Sequence, residues 1–161
     1  MPKGCELEGK RQTENSPGVV QNDENLVRYV ISPFHWDEIK NEVKPAIFSS
    51  KELNESGAST QRLLYSTLDF LLKRGNEQAA RGQDKNRKFL GVIKAQCGRI
   101  RDIKESKEQA ISILDTALPD NIGHADIFLS RSYQKSVQLK LRKELINKFS
   151  SLLEIDHNLF E

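Results

Sequence analysis

Two hydrophobic periods alternate along this chain, and their succession constrains the fold more than any other feature. Leu26-Val27-Arg28-Tyr29-Val30-Ile31 is a β-branched, apolar run closed by Ser32-Pro33, the pattern of a buried strand. Leu64, Leu68, Leu71 and Leu72 then fall at i, i+4, i+7 and i+8, one face of a 3.6-residue period. From Phe89 the period is two: Phe89, Gly91, Ile93, Ala95 and Cys97 share one side, and Leu90, Val92, Lys94 and Gln96 the other. Val137, Leu141, Leu145, Phe149 and Leu152 return to helical spacing, with Lys135, Lys140, Arg142, Lys143 and Lys148 mostly opposite.

Local signals place the boundaries. Ser59 or Thr60 can cap a helix over 60–74, Lys73 and Arg74 suit its last turn, and Gly75 can end it. Pro45-Ala46-Ile47-Phe48 reads as a short extended piece, and residues 49–60, with four Ser and with Asn54, Gly57 and Thr60, as a loop. The strand from Phe89, continuing through Ile100 and Ile103, is expected to turn at 105–108 and return through Ala110–Leu114, giving a β-hairpin over 89–114. A second helix is expected over 132–153. The fold class that follows is α+β: a small antiparallel sheet with a central β-hairpin, packed on one face by two main helices. Residues 1–25, dominated by polar and charged side chains, read as a disordered tail before one domain at 26–161.

Composition enters through charge and cysteine. The net charge of +2 conceals an asymmetry: residues 61–108 hold twelve Lys/Arg against six Asp/Glu, and every other segment is slightly acidic. Local charge of this kind attracts anionic partners whatever the total. Cys5 and Cys97 cannot form a cysteine zinc site, and no disulfide framework is expected. The first thirty residues hold no apolar signal core, and no apolar run approaches the roughly 20 residues of a membrane span. These features predict a cytoplasmic protein.

Three groups of residues could carry function. His124-Ala125-Asp126, with Asp115 and Asp120 upstream, pairs an imidazole with carboxylates that can orient it, and His-x-Asp on extended backbone puts both side chains on one face. A purely structural role would have Asp120 or Asn121 make a turn and His124 bond the loop. Phe34-His35-Trp36 could anchor a partner, or could be core aromatics flanking a solvent-facing histidine. The basic set Arg81, Lys85, Arg87, Lys88, Arg99 and Arg101 could neutralise phosphates, or could simply be a solvated face. Cys97 lies among cations, but on an inner face it would be an inert thiol. Walker A and Gly-x-Gly-x-x-Gly patterns are absent, and no cofactor or metal site is expected.

The first functional expectation is a non-catalytic protein-interaction or accessory module of a prokaryotic-type intracellular complex, with another protein as partner. The alternatives are a nucleic-acid-binding accessory protein using the basic 73–107 region, and a small hydrolase- or transferase-like enzyme using His124 with Asp126 or Asp120.

Overall fold

Leu26–Ile31 does form a strand, and four more strands gather around it. The computed structural model describes residues 5–10, 13–81 and 86–161. The chain runs through α1 (Cys5–Glu8), β1 (Asn25–Ser32), the two-residue strands β2 (Trp36–Asp37) and β3 (Glu42–Val43), β4 (Ala58–Arg62), α2 (Leu68–Ala80), β5 (Lys88–Gln96), α3 (Cys97–Arg101), β6 (Lys104–Glu105), β7 (Glu108–Gln109), β8 (Ile111–Asp115), β9 (His124–Leu129) and α4 (Lys135–Lys148). The main sheet has the order β5-β1-β4-β9-β8, and every neighbouring pair is antiparallel. The α+β class is as expected. Among the described residues no helix is long and apolar enough to cross a membrane.

Alternation along the strands builds two apolar layers. Leu26 and Val30 of β1, Ile93 of β5, Ile111 and Ile113 of β8 and Ile127 of β9 pack with Leu141 and Leu145 of α4. Val27 and Val92 face the other way, toward Leu71 of α2 and Leu159 near the C-terminus. The two long helices therefore lie on opposite faces of the sheet. The expectation of helices on one face is corrected because both faces of β1 and β5 are apolar and both need cover.

The expected 89–114 hairpin does not form. β5 and β8 occupy opposite edges of the sheet, and β5 pairs with β1 from Asn25↔Gln96 to Ser32↔Lys88. Cys97, Ile100 and Ile103 are three apart, a spacing that serves a helix as well as a continued strand, and the chain turns into α3 there. The Cys97 and Gly98 amides donate to the Glu24 and Asn22 carbonyls, which fixes the turn. A tight β6–β7 hairpin follows, with Ser106 and Lys107 both at positive φ.

The first long helix also moves. Ser59 and Thr60 belong to β4, Leu63–Tyr65 make a 3-10 turn, and the hydroxyl of Thr67 caps α2 by accepting from the Phe70 amide. Gly75 lies inside α2 and does not end it. The Phe89 ring comes within 2.3 Å of where a Gly75 Cβ would sit, so the glycine is there for close helix–sheet approach. Pro45–Phe48 forms a 3-10 turn in place of an extended piece, with Ile47 and Phe48 buried.

The second half of the expected tail lies against the domain. Val20 is buried, and Arg62 donates to the Gly18 and Val19 carbonyls while pairing with Glu24. Arg101 binds the Val20 carbonyl, Asn22 and Glu8. The N-terminal segment also covers the β8 edge, where Ser16 bonds Asp115 and Thr13 bonds the Ala117 carbonyl. At the other edge Val92 and Leu153 exchange backbone hydrogen bonds of 3.0 and 2.8 Å. Both exposed edges, the usual points of unwanted strand pairing, are thus capped by the chain's own ends.

Candidate functional site

His124 and Asp126 stand on the strand β9, not on a loop, and this sets the geometry of the site. In the β4–β9 pairing Gln61 stands opposite His124 and Ser59 opposite Asp126. These four residues share the sheet face on which α2 lies, since the intervening Thr60 and Ala125 belong to the opposite side. α2 covers β5 and β1 but leaves this end of β4 and β9 uncovered.

The connection from β8 to β9 folds into the gap. Leu118 and Asn121 exchange backbone hydrogen bonds around Pro119-Asp120, the turn expected from those residues. The Asn121 and Gln61 amides bond each other reciprocally, at 2.8 and 2.9 Å, and tie the turn to the sheet. Between the turn, α2 and the sheet lies a cavity of about 220 Å³. Tyr29, Ser59 and His124 form its floor, Arg74, Gln78 and Arg81 one wall, and Leu118 and Asn121 the other.

His124 is held in one orientation. Its Nδ1 lies 3.2 Å from the Thr116 carbonyl, an atom that only accepts, so Nδ1 carries the proton. The Thr116 hydroxyl is 2.8 Å from the same nitrogen. This leaves Nε2 as the group available for chemistry, 3.9 Å from Asp126 Oδ1. Burial raises the Asp126 carboxyl above its ordinary range, opposed by His124 and by hydrogen bonds from the Thr116 and Ser59 hydroxyls. Asp126 Oδ1 itself has no hydrogen-bond partner. At 3.9 Å the two atoms are too far apart for a hydrogen bond, but close enough for the carboxylate to stabilise a positive charge on the ring. Gly57, at φ 85°, packs against Asp126, and a Cβ there would come within 2.8 Å of the Asp126 Cβ. No side chain larger than hydrogen fits beside this carboxylate without moving it.

The other expected candidates are placed apart from this pair. Asp120 is drawn to Arg74, at 2.7 Å, on the rim of the cavity. Asp115 is buried beside Arg62 at 3.7 Å. No residue of the 32–37 segment lines the cavity. There, His35 Nδ1 accepts from the Ile31 amide at 3.1 Å, and burial followed by Arg28 lowers its pKa to about 4. Trp36 packs on the main core, and Phe34 is exposed under the Arg87 guanidinium.

The basic residues do not form one face. Arg81, Arg87 and Lys88 lie at the start of β5, and Arg99 and Arg101 follow its end, nine strand residues and about 30 Å away. Arg101 is consumed by Glu8, Asn22 and the Val20 carbonyl, and Arg87 bonds the Arg81 carbonyl. Lys85 lies outside the described residues. Burial pushes the Cys97 thiol up to about 12, which leaves it a poor nucleophile. Among the described residues no three His, Cys, Asp or Glu side chains converge as metal ligands.

Tyr29, Ser59, Gln61, Thr116 and Asn121 build the site yet carry no motif. Thr116 and Asn121 lie in the connection between β8 and β9, and of the five only Asn121 carried a signal in the sequence, as a turn residue. Comparison with protein-family models, with curated proteins and with solved structures finds no match for this chain.

Proposed function

We propose that the protein is a small hydrolase- or transferase-like enzyme whose active site is the cavity beside β9, with His124 as its proton carrier. One observation supports this most: His124 lines a cavity, its Nδ1 is committed to Thr116, and its Nε2 is left beside Asp126. An imidazole fixed at one nitrogen and paired with a carboxylate at the other is suited to general acid–base catalysis. In a hydrolytic step, His124 Nε2 takes a proton from the attacking water as its oxygen bonds the acyl or phosphoryl centre. The same proton then goes to the departing oxygen. Asp126 stabilises the imidazolium formed in between.

The test is turnover of generic carboxylic and phosphoric esters by the full chain. His124→Gln is expected to lower any such activity by at least about a hundredfold, the usual share of a general acid–base group. Equal rates from wild type and His124→Gln across the panel would overturn the proposal.

A protein-interaction or accessory module remains a second reading, supported by a different surface. Leu64 and Phe160 are exposed together in a shallow groove flanked by Asp23 and Asn25. Apolar groups at a polar rim are a common feature of interaction sites. Nucleic-acid binding has less support, because the cations it would use are divided between the two ends of β5.

A further inference from the structure

We infer that the cavity beside His124 is built to hold the oxyanion of a compact substrate, a carboxylate or phosphate, and that Arg74 and Arg81 select it. The inference rests on the cavity being the substrate site. Arg74, Arg81 and His124 all line it, and no Asp or Glu does. Grouped cations with low-dielectric walls favour an anion. Arg74 lies in α2 and Arg81 caps its C-terminal end, seven residues on, and both line the same wall of the cavity. Guanidinium forks match the paired oxygens of carboxylate and phosphate.

Two further observations point to a ligand. Arg81 makes no ion pair among the described residues, and of the arginines that make none it is the one that lines this cavity. The Tyr29 hydroxyl is buried without a hydrogen-bond partner, and Tyr29 lines the same cavity. A hydroxyl so placed is costly unless something enters to bond it.

The structure also contains a stand-in for that ligand. Asp120, on the turn opposite α2, places its carboxylate 2.7 Å from Arg74 Nη2 across the cavity rim. This contact ties the turn to the helix. A substrate oxyanion on Arg74 displaces Asp120, so binding and opening of the turn are coupled. At about 220 Å³ the cavity is below the roughly 300 Å³ at which pockets for drug-sized ligands begin, which favours a compact molecule over a nucleotide or peptide.

The experiment is a two-dimensional NMR titration of the full chain at low ionic strength, once with inorganic phosphate and once with malonate. The expected result is saturable shifts at Arg81, Asp120 and His124, with the tighter anion identifying the oxyanion class. Arg81→Gln should weaken binding about tenfold, the worth of one charge-assisted contact. Asp120→Asn should tighten it about two- to fivefold by removing a competitor whose own exposed contact is weak. A purely structural Asp120 would not produce that gain. Binding with this pattern but no His124-dependent turnover would remove the catalytic proposal and leave the oxyanion site standing. Absence of shifts at the cavity with both anions, or equal affinity in wild type, Arg81→Gln and Asp120→Asn, would overturn the inference.

Discussion

Arg62 grips Glu24 through two parallel hydrogen bonds, Nε to Oε1 at 2.8 Å and Nη2 to Oε2 at 2.7 Å, with both side chains buried. The pair ties the middle strand of the sheet to the segment before β1. The remaining guanidinium protons go to the Gly18 and Val19 carbonyls, and Asp115 lies 3.7 Å away. A charge this buried is tolerated because four hydrogen bonds and a second carboxylate surround it. Residues 18–24 are therefore part of the folded unit through one side chain that lies 38 residues from its partner.

Removing Glu24 takes away the two short hydrogen bonds and leaves the buried Arg62 with only Asp115, at 3.7 Å, as counter-ion. Glu24→Ala is expected to destabilise the fold by about 3–5 kcal/mol, measured by urea denaturation followed with far-ultraviolet circular dichroism. A loss under about 1 kcal/mol, typical of an exposed pair, would show that the N-terminal segment is only loosely attached.

Gly75→Ala should lower stability even though alanine is the better helix former by about 1 kcal/mol. The new methyl would overlap the Phe89 ring, whose Cε2 and Cζ are 2.3 Å from its position. That ring is held edge-on against Tyr29, so it has little freedom to retreat. The expected net cost is about 1–3 kcal/mol, that of overpacking. Adding Phe89→Leu should recover part of it, and additive losses in the double variant would show that the two positions are not in contact.

His35 predicts an acid-sensitive fold. Burial, then Arg28, holds its pKa at about 4, well below the unfolded value of 6.5. The folded state thus refuses a proton that the unfolded chain accepts. Its contribution is complete above pH 6.5 and is lost as the pH falls toward 4, on the order of 2 kcal/mol once partial exposure is allowed for. His35→Asn keeps an acceptor for the Ile31 amide but cannot titrate. Its unfolding midpoint should be flatter between pH 7 and 4 than that of the wild type, and parallel curves would exclude His35 as the cause.

How much of this was legible from residues alone depends on where each element finds its partners. β1 and α4 carry their own apolar patterns, and Leu26–Ile31 and Leu141–Leu145 show them in the chain. β4 does not. Ser59-Thr60-Gln61-Arg62 is polar, yet Thr60, Gln61 and Arg62 are buried at the centre of the sheet. Their hydrogen bonds go to Ala125, Asn121 and Glu24, between 38 and 65 residues away, and no local pattern records such distances. The same blindness hid the site. The His124–Asp126 spacing was visible, whereas Ser59 was assigned to a loop and Asp120 to the wrong partner. Pairing across the sheet placed Ser59 beside Asp126, and the approach of α2 to the turn placed Asp120 on Arg74; neither follows from proximity in the chain.

Asp126 should show the opposite pH behaviour to His35, and this separates its chemical role from a structural one. Burial raises its carboxyl above the ordinary range, against the pull of His124 and of the Thr116 and Ser59 hydroxyls. The folded state therefore holds this proton more tightly than the unfolded chain does. The stability it contributes grows as the pH falls through the raised pKa and levels off below the ordinary carboxylate value. At neutral pH the ionised form is a liability that packing alone does not require. Asp126→Asn keeps the shape and removes the charge, so it is expected to stabilise the protein by about 1–2 kcal/mol at pH 7, read from denaturant midpoints. The same variant should lower His124-dependent turnover by at least about a hundredfold, because the imidazolium loses its counter-charge. A variant that is both more stable and less active is what a carboxylate kept for proton transfer predicts. If Asp126→Asn instead destabilises the fold and spares activity, Asp126 is a structural acceptor for Ser59 and Thr116, and His124 works without it.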